Sequence, residues 1–247
     1  MLNRHIHGDC LEVMTDIPSN SVHLIKADLP YGTTRNKWDV IIPFGPLWEQ
    51  YERIISPNGV ILLNAVGLFA AKLIMSNPDV YRYDWIWEKT SASGHLNAKK
   101  MPMRAHEQIL VFYKGKPVYN PQKTQGHERK VSLAKHKINC KKTTNYGEHG
   151  LADYDSDERY PRSVIKMKSD KQSGAVHPTQ KPVALEEYFI KTYTDEGMTV
   201  LDNCSGSGTV GIACLNTNRN YILIEKDKEM YGKANKRIIN RLLSDIL

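Results

Sequence analysis

The chain has 247 residues, 40% hydrophobic and 25% charged, with a formal net charge of +7 and a pI near 9.1. That length supports one well-cored domain, or one domain carrying a small insertion, and the basic balance favours a polyanionic partner without identifying it. A membrane span, a zinc framework and a disulfide scaffold are all disfavoured. The longest apolar stretch, from Val60 to Met75, is broken by Asn64 and Lys72, and the four cysteines form no CxxC pair. MLNRHIHGDC has no apolar signal core, so a cytoplasmic protein without a resident metal is expected.

In chain order, strand-like runs are VHLIKA (22–27), GVILLNA (59–65), YDWIWEK (83–89), HEQILVFYK (106–114), MTVLDN (198–203) and NYILIEKD (220–227). Helical spacing predicts helices over 44–55, 181–194, 207–218 and 228–246. Strands alternating with helices predict an α/β domain, a parallel sheet covered on both faces. The pattern fails between Gly115 and Gly174, where Lys, Asn, Gln, Ser, Asp and Pro dominate. A structureless loop of that length is improbable in a compact domain, so 116–173 is read as an insertion with its own function or a segment ordered by a partner, set into a domain formed by 1–115 and 174–247. The insertion contains a Lys/Arg-dense run from Lys114 to Lys142 with a single acid, Glu128. Alone, that run fits a solvated loop as well as a nucleic-acid surface.

Residues 200–214, VLDNCSGSGTVGIAC, read as a strand, a glycine turn and a helix start, with Gly206, Gly208 and Gly211 in GxGxxG spacing. Glu225, closing the next strand, is placed to accept hydrogen bonds from ribose hydroxyls. Any adenosine-bearing cofactor fits this, a nicotinamide dinucleotide included. After Gly211 only one strand and one helix remain, so the sheet must be completed by earlier strands. That permuted arrangement could bring the strand end at Asp28 near the strand end at Asp202, because open parallel sheets bind ligands at the carboxyl ends of their strands.

The segment ADLPYG (27–32) supplies chemistry for such a crevice. An exocyclic amine on a nucleobase is a poor nucleophile because its lone pair is delocalised into the ring. The Asp28 carboxylate and the Leu29 or Pro30 carbonyl could accept its two N–H groups, while Tyr31 stacks on the base and holds it in line with an electrophile. A paired base would first have to be flipped out of the duplex. Read alone, the same residues could cap a turn and pack.

HGDCLEVM (7–14), ADLPYG, WIWEK (85–89), RAHEQILVFYKG (104–115), HPTQKP (177–182) and DNCSGSGT (202–209) together resemble the amino-methylating DNA methyltransferases of β motif order. The resemblance implies a Rossmann-like, S-adenosylmethionine-dependent methyltransferase fold: a doubly wound, mostly parallel sheet with permuted motifs and an inserted target-recognition region. It implies Asp28, Pro30 and Tyr31 as the catalytic motif. Asp9 and Cys10 would meet the cofactor adenine, Glu225 the ribose, and Asp202, Asn203, Gly206, Ser207, Gly208 and Thr209 the methionine portion. Thr179, Gln180 and Lys181 would close over the methionine carboxylate. Lys37 and Trp38 follow the catalytic motif and, with Arg129, Lys130, Lys137, Lys141 and Lys142, are expected to meet DNA. Leu29 stands where the family usually has proline. The leading Asp implies adenine N6 over cytosine N4, double-stranded DNA is the implied partner, and a homodimer is a further expectation. For Glu107 an ion pair at a strand start and a place in the base pocket are both open. A nicotinamide oxidoreductase would leave ADLPYG and the basic run unused.

Overall fold

The computed structural model describes residues 2–134, 152–168 and 180–244. The elements in order are β1 (Arg4–His7), α1 (Cys10–Met14), β2 (Val22–Ala27), α2 (Phe44–Ile54), β3 (Ile55–Ala65), α3 (Gly67–Ser76), β4 (Tyr81–Ser93) and β5 (Arg104–Phe112). Three short strands follow, β6 (Lys130–Ser132), β7 (Tyr154–Ser156) and β8 (Val164–Met167). The chain then forms α4 (Val183–Tyr193), β9 (Thr199–Asp202), α5 (Thr209–Asn216), β10 (Asn220–Glu225) and α6 (Lys228–Leu243). It divides into two compact units, one of Met1–Asn120 with Ser163–Leu247, the other of Pro121–Arg162.

The first unit is built on one sheet in the order β1-β10-β9-β2-β3-β5-β4-β8. Every pairing is parallel except those of β5, which runs antiparallel to both β3 and β4. Side chains alternate across the sheet, as strand geometry requires. Ile25, Leu63 and Leu110 join one apolar cluster with Leu47, Tyr51 and Phe69 of α2 and α3. Their neighbours Leu24, Leu62 and Ile109 join the opposite cluster with Phe189 of α4, Val210 of α5 and Ile238 of α6. Burial on both faces explains why these strands read as near-continuous apolar runs. No helix among the described residues is long and apolar enough to cross a membrane.

β2 leads through α2 to β3 on one side, while β9 leads through α5 to β10 on the other. Progression therefore reverses between β2 and β9, which pair in parallel at Leu24–Val200 and Ile25–Leu201. A topological switch point opens a crevice at the carboxyl ends of the flanking strands, where Asp28 and Asp202 lie.

The Pro121–Arg162 unit is narrower than the stretch 116–173 read as an insertion. Val164–Met167 leaves that stretch to pair in parallel with Ile86–Lys89 of β4 in the main sheet. The unit itself is organised around the antiparallel pair β6–β7, extended by a bridge between Thr124 and Arg159. None of its described residues belongs to either apolar cluster. Two ion pairs of the unit lie at the surface, Lys123 with Glu158 at 2.8 Å and Arg129 with Asp155 at 2.6 Å.

Candidate active site

Asp28 follows directly on β2, and both of its oxygens are engaged. Oδ1 accepts the Tyr31 hydroxyl at 2.6 Å and Oδ2 accepts the Lys181 ammonium at 2.7 Å. Burial, reinforced by the Asp28 charge, pushes the Tyr31 phenol well above its ordinary range, so it stays protonated and donates. Phe69 stacks on one face of the Tyr31 ring, centroids 4.8 Å apart at 30°. Leu29, the residue that departs from the family motif, is buried in the apolar cluster beneath. Pro30 carries the turn between the acid and the ring.

The loop beyond Tyr31 is gathered by Asp39, whose carboxylate accepts the backbone N–H groups of Gly32, Thr33 and Thr34 at 2.8, 2.9 and 2.6 Å. Burial alone would raise this carboxyl, but the Thr34 hydroxyl and those three N–H groups hold it below the usual range. Gly32 has φ +66°, and a Cβ there would lie 2.9 Å from Ile41, so the turn requires glycine. Lys37 and Trp38 are exposed on this loop.

Across the crevice, Glu225 ends β10 and accepts Gly206 N–H through Oε2 and Asp227 N–H through Oε1, both at 2.8 Å. Each oxygen keeps a second acceptor site. Gly206 has φ +48°, and its missing Cβ would point into open space, so a ligand could approach this backbone closely. Asp9 caps α1 through Leu11 N–H and pairs with Lys226 at 2.9 Å. Two acids at neighbouring strand ends beside an open glycine turn fit the adenosine and amino-acid portions of S-adenosylmethionine. Burial, with the nearby charges of Glu186 and Asp28, pushes the Asp202 carboxyl up to about 8, against the pull of Cys204 N–H and Lys26.

Several residues expected to touch the cofactor have partners within the protein. Asn203 accepts the Tyr51 hydroxyl at 2.6 Å, and Arg237 reaches the Ser207 carbonyl and the Thr209 hydroxyl, each at 3.0 Å. Gly208, at φ +73°, precedes α5, while Cys10 and Gln180 are buried. The ammonium of Lys181, a residue expected at the methionine carboxylate, bridges Asp28 and Glu107 Oε2, the latter at 3.1 Å. Of the expected DNA contacts, Arg129 is engaged with Asp155 and Lys130 is exposed on β6. Thr179, Lys137, Lys141 and Lys142 lie outside the described residues.

Sequence reading missed a buried group beneath the crevice. Lys26, on β2, meets Asn64 of β3 at 2.9 Å and Glu186 of α4 at 3.1 Å. The signal was available: a lysine inside VHLIKA, on a strand with no solvent face, has to find an acid.

A crevice at a switch point, with an adenosine-type acid on one wall and an acid-plus-tyrosine pair on the other, defines a Rossmann-like methyltransferase acting on an amino group. The sequence profile of the N6/N4 DNA methylases matches residues 22–236, and the chain belongs to that family of S-adenosylmethionine-dependent DNA amino-methyltransferases. It is 27% identical to the type II methyltransferase M.HpaI of Haemophilus parainfluenzae, over 96% of this chain and 74% of that protein. Among solved structures it resembles M1.HpyAVI in complex with S-adenosylmethionine, with a TM-score of 0.64 and 25% identity over 95% of this chain and 98% of the other. The fold also matches the cytosine-N4-specific PvuII DNA methyltransferase, with a TM-score of 0.67 and 15% identity over 98% and 91% of the two chains.

Proposed function

We propose that the protein methylates the N6 amine of an adenine flipped out of duplex DNA at a short specific sequence. The observation that carries this is the strand-end carboxylate of Asp28, fixed by Tyr31 and Lys181. S-adenosylmethionine supplies an electrophilic methyl group on a sulfonium. The chain's own residues do the rest. Asp28 accepts one N–H of the target amine and a backbone carbonyl of the Leu29–Pro30 turn accepts the other, pulling the nitrogen towards tetrahedral geometry and localising its lone pair. Tyr31 stacks on the base and sets its distance. As the N–C bond forms, the bond between the methyl group and the sulfonium sulfur breaks and leaves a neutral thioether; the amine becomes cationic and loses a proton to Asp28 or water, with no covalent enzyme intermediate.

Asp9, Asp202, Glu225 and the turn at Gly206 hold the cofactor in this reading, with Thr179 and Gln180 closing over it. The Pro121–Arg162 unit and the basic run around it read the DNA, with most Lys and Arg side chains on phosphates and a few polar groups on base edges. The leading Asp supports adenine over cytosine. The test is to incubate purified protein with unmethylated genomic DNA and S-adenosylmethionine, digest to nucleosides and measure their masses. N6-methyladenine is the expected product; N4-methylcytosine would keep the mechanism and overturn the base.

A further inference from the structure

The base wall of the crevice ends in a chain of alternating charges drawn from four separate segments. Lys89 of β4 lies 3.2 Å from Glu107 Oε1 on the adjacent β5, Glu107 Oε2 lies 3.1 Å from Lys181, and Lys181 lies 2.7 Å from Asp28. The side chains of Lys89, Glu107 and Lys181 are 10%, 16% and 11% exposed, against 31% for Asp28. The chain of charges therefore runs from the interior to one acid that faces the crevice. We infer that Lys181 is a positioning residue for methyl transfer, acting on the base side through Asp28 and oriented in turn by Glu107.

A carboxylate at the end of a strand turns easily about its terminal torsion, which is broad and nearly two-fold. Here Tyr31 holds Oδ1 and Lys181 holds Oδ2, so the plane of the Asp28 carboxylate is set before a base arrives. Each oxygen retains a second acceptor site, which suffices for one N–H of an amine. Burial would lower the Lys181 ammonium, but the Asp28 and Glu107 carboxylates outweigh it and hold the group cationic. Glu107 keeps the ammonium from swinging towards an anionic portion of the cofactor. The inference rests on the reading of Asp28 as acceptor for the target amine.

The test uses the full chain with unmethylated genomic DNA and radiolabelled S-adenosylmethionine. It compares Lys181→Met, Lys181→Arg and Glu107→Gln for cofactor dissociation constant by calorimetry and for single-turnover transfer rate at saturating cofactor. Lys181→Met should slow transfer roughly 100-fold, on the scale of losing one preorganised charged donor, with cofactor affinity within about threefold of wild type. Lys181→Arg should recover part of the rate, which a purely structural role would not require. Glu107→Gln, which keeps its shape, should slow transfer about tenfold and carries the test if Lys181→Met fails to fold. A weakened cofactor constant with an unchanged saturated rate would move Lys181 to the cofactor and overturn the inference. So would wild-type kinetics in both Lys181→Met and Glu107→Gln. Wild-type protein that methylates no DNA would overturn the functional reading itself, and the inference with it.

Discussion

Lys26 and Glu186 sit 3.1 Å apart with side chains 1% and 2% exposed; Arg129 and Asp155, in the Pro121–Arg162 unit, sit 2.6 Å apart at 72% and 47%. The two pairs share a geometry and differ in almost everything else. The first is removed from water, so its partners hold each other under a large desolvation penalty and cannot be exchanged. The second is solvated and screened, and its cation can leave the carboxylate for a phosphate at little cost. Charge beneath the sheet edge therefore builds a fixed site, while charge in the smaller unit remains available to a mobile polyanion.

Four sets of substitutions test that contrast, from the largest effect to the smallest. Asp28→Ala removes the acceptor and should reduce methyl transfer by roughly a thousandfold or more, with cofactor affinity nearly intact by calorimetry. Weak cofactor binding in this variant would place Asp28 on the other wall. Lys26→Met strands the Glu186 carboxylate in the core and should cost about 3–5 kcal/mol in urea denaturation, whereas Lys26→Met combined with Glu186→Leu should recover most of it. A single variant as stable as wild type would show that the pair tolerates exchange after all.

Asp202→Asn addresses pH. The raised Asp202 carboxyl favours the folded state when protonated, so its contribution is complete below about pH 4, the ordinary carboxylate range, and lost as pH rises through about 8. The wild type should lose thermal stability across that window; Asn should flatten the slope and raise the melting temperature at pH 9 by roughly a few degrees. A parallel decline in both proteins would rule out Asp202 as its source. At the weak end, Lys130→Ala and Arg129→Ala should leave the urea midpoint unmoved while each reduces the log–log salt dependence of DNA binding by about one. An unchanged salt slope would take that unit out of contact with phosphate.

The strands buried on both faces were legible because burial left them few polar positions: VHLIKA is apolar apart from His23 and Lys26, and NYILIE apart from the polar residues at its two ends. β1, with the sequence RHIH, was not, because an edge strand with a half-buried and an exposed histidine carries no apolar run. β8 was hidden in a polar stretch and owes its conformation to β4 rather than to its own sequence. At the site, Asp28 with Tyr31 and Gly206 with Glu225 belong to local motifs and could be placed from them. Lys181 could not, since its partners arrive from two other strands and only the order of the sheet decides which carboxylates it meets.

The parallel pairing of Leu24 with Val200 has a consequence for how the protein is made. During synthesis β2, β3, β4 and β5 emerge first and can assemble as a half-sheet, but β9, the strand that covers the other edge of β2, is translated only after all of them and the segment that follows. Until then Val22, Leu24 and Ile25 stand beside an unpaired row of peptide groups, open to association with other chains. Closure demands a contact of long sequence separation, the kind that folds slowly. The crevice forms only at that step, so the nascent chain has no assembled catalytic centre until its last strands dock.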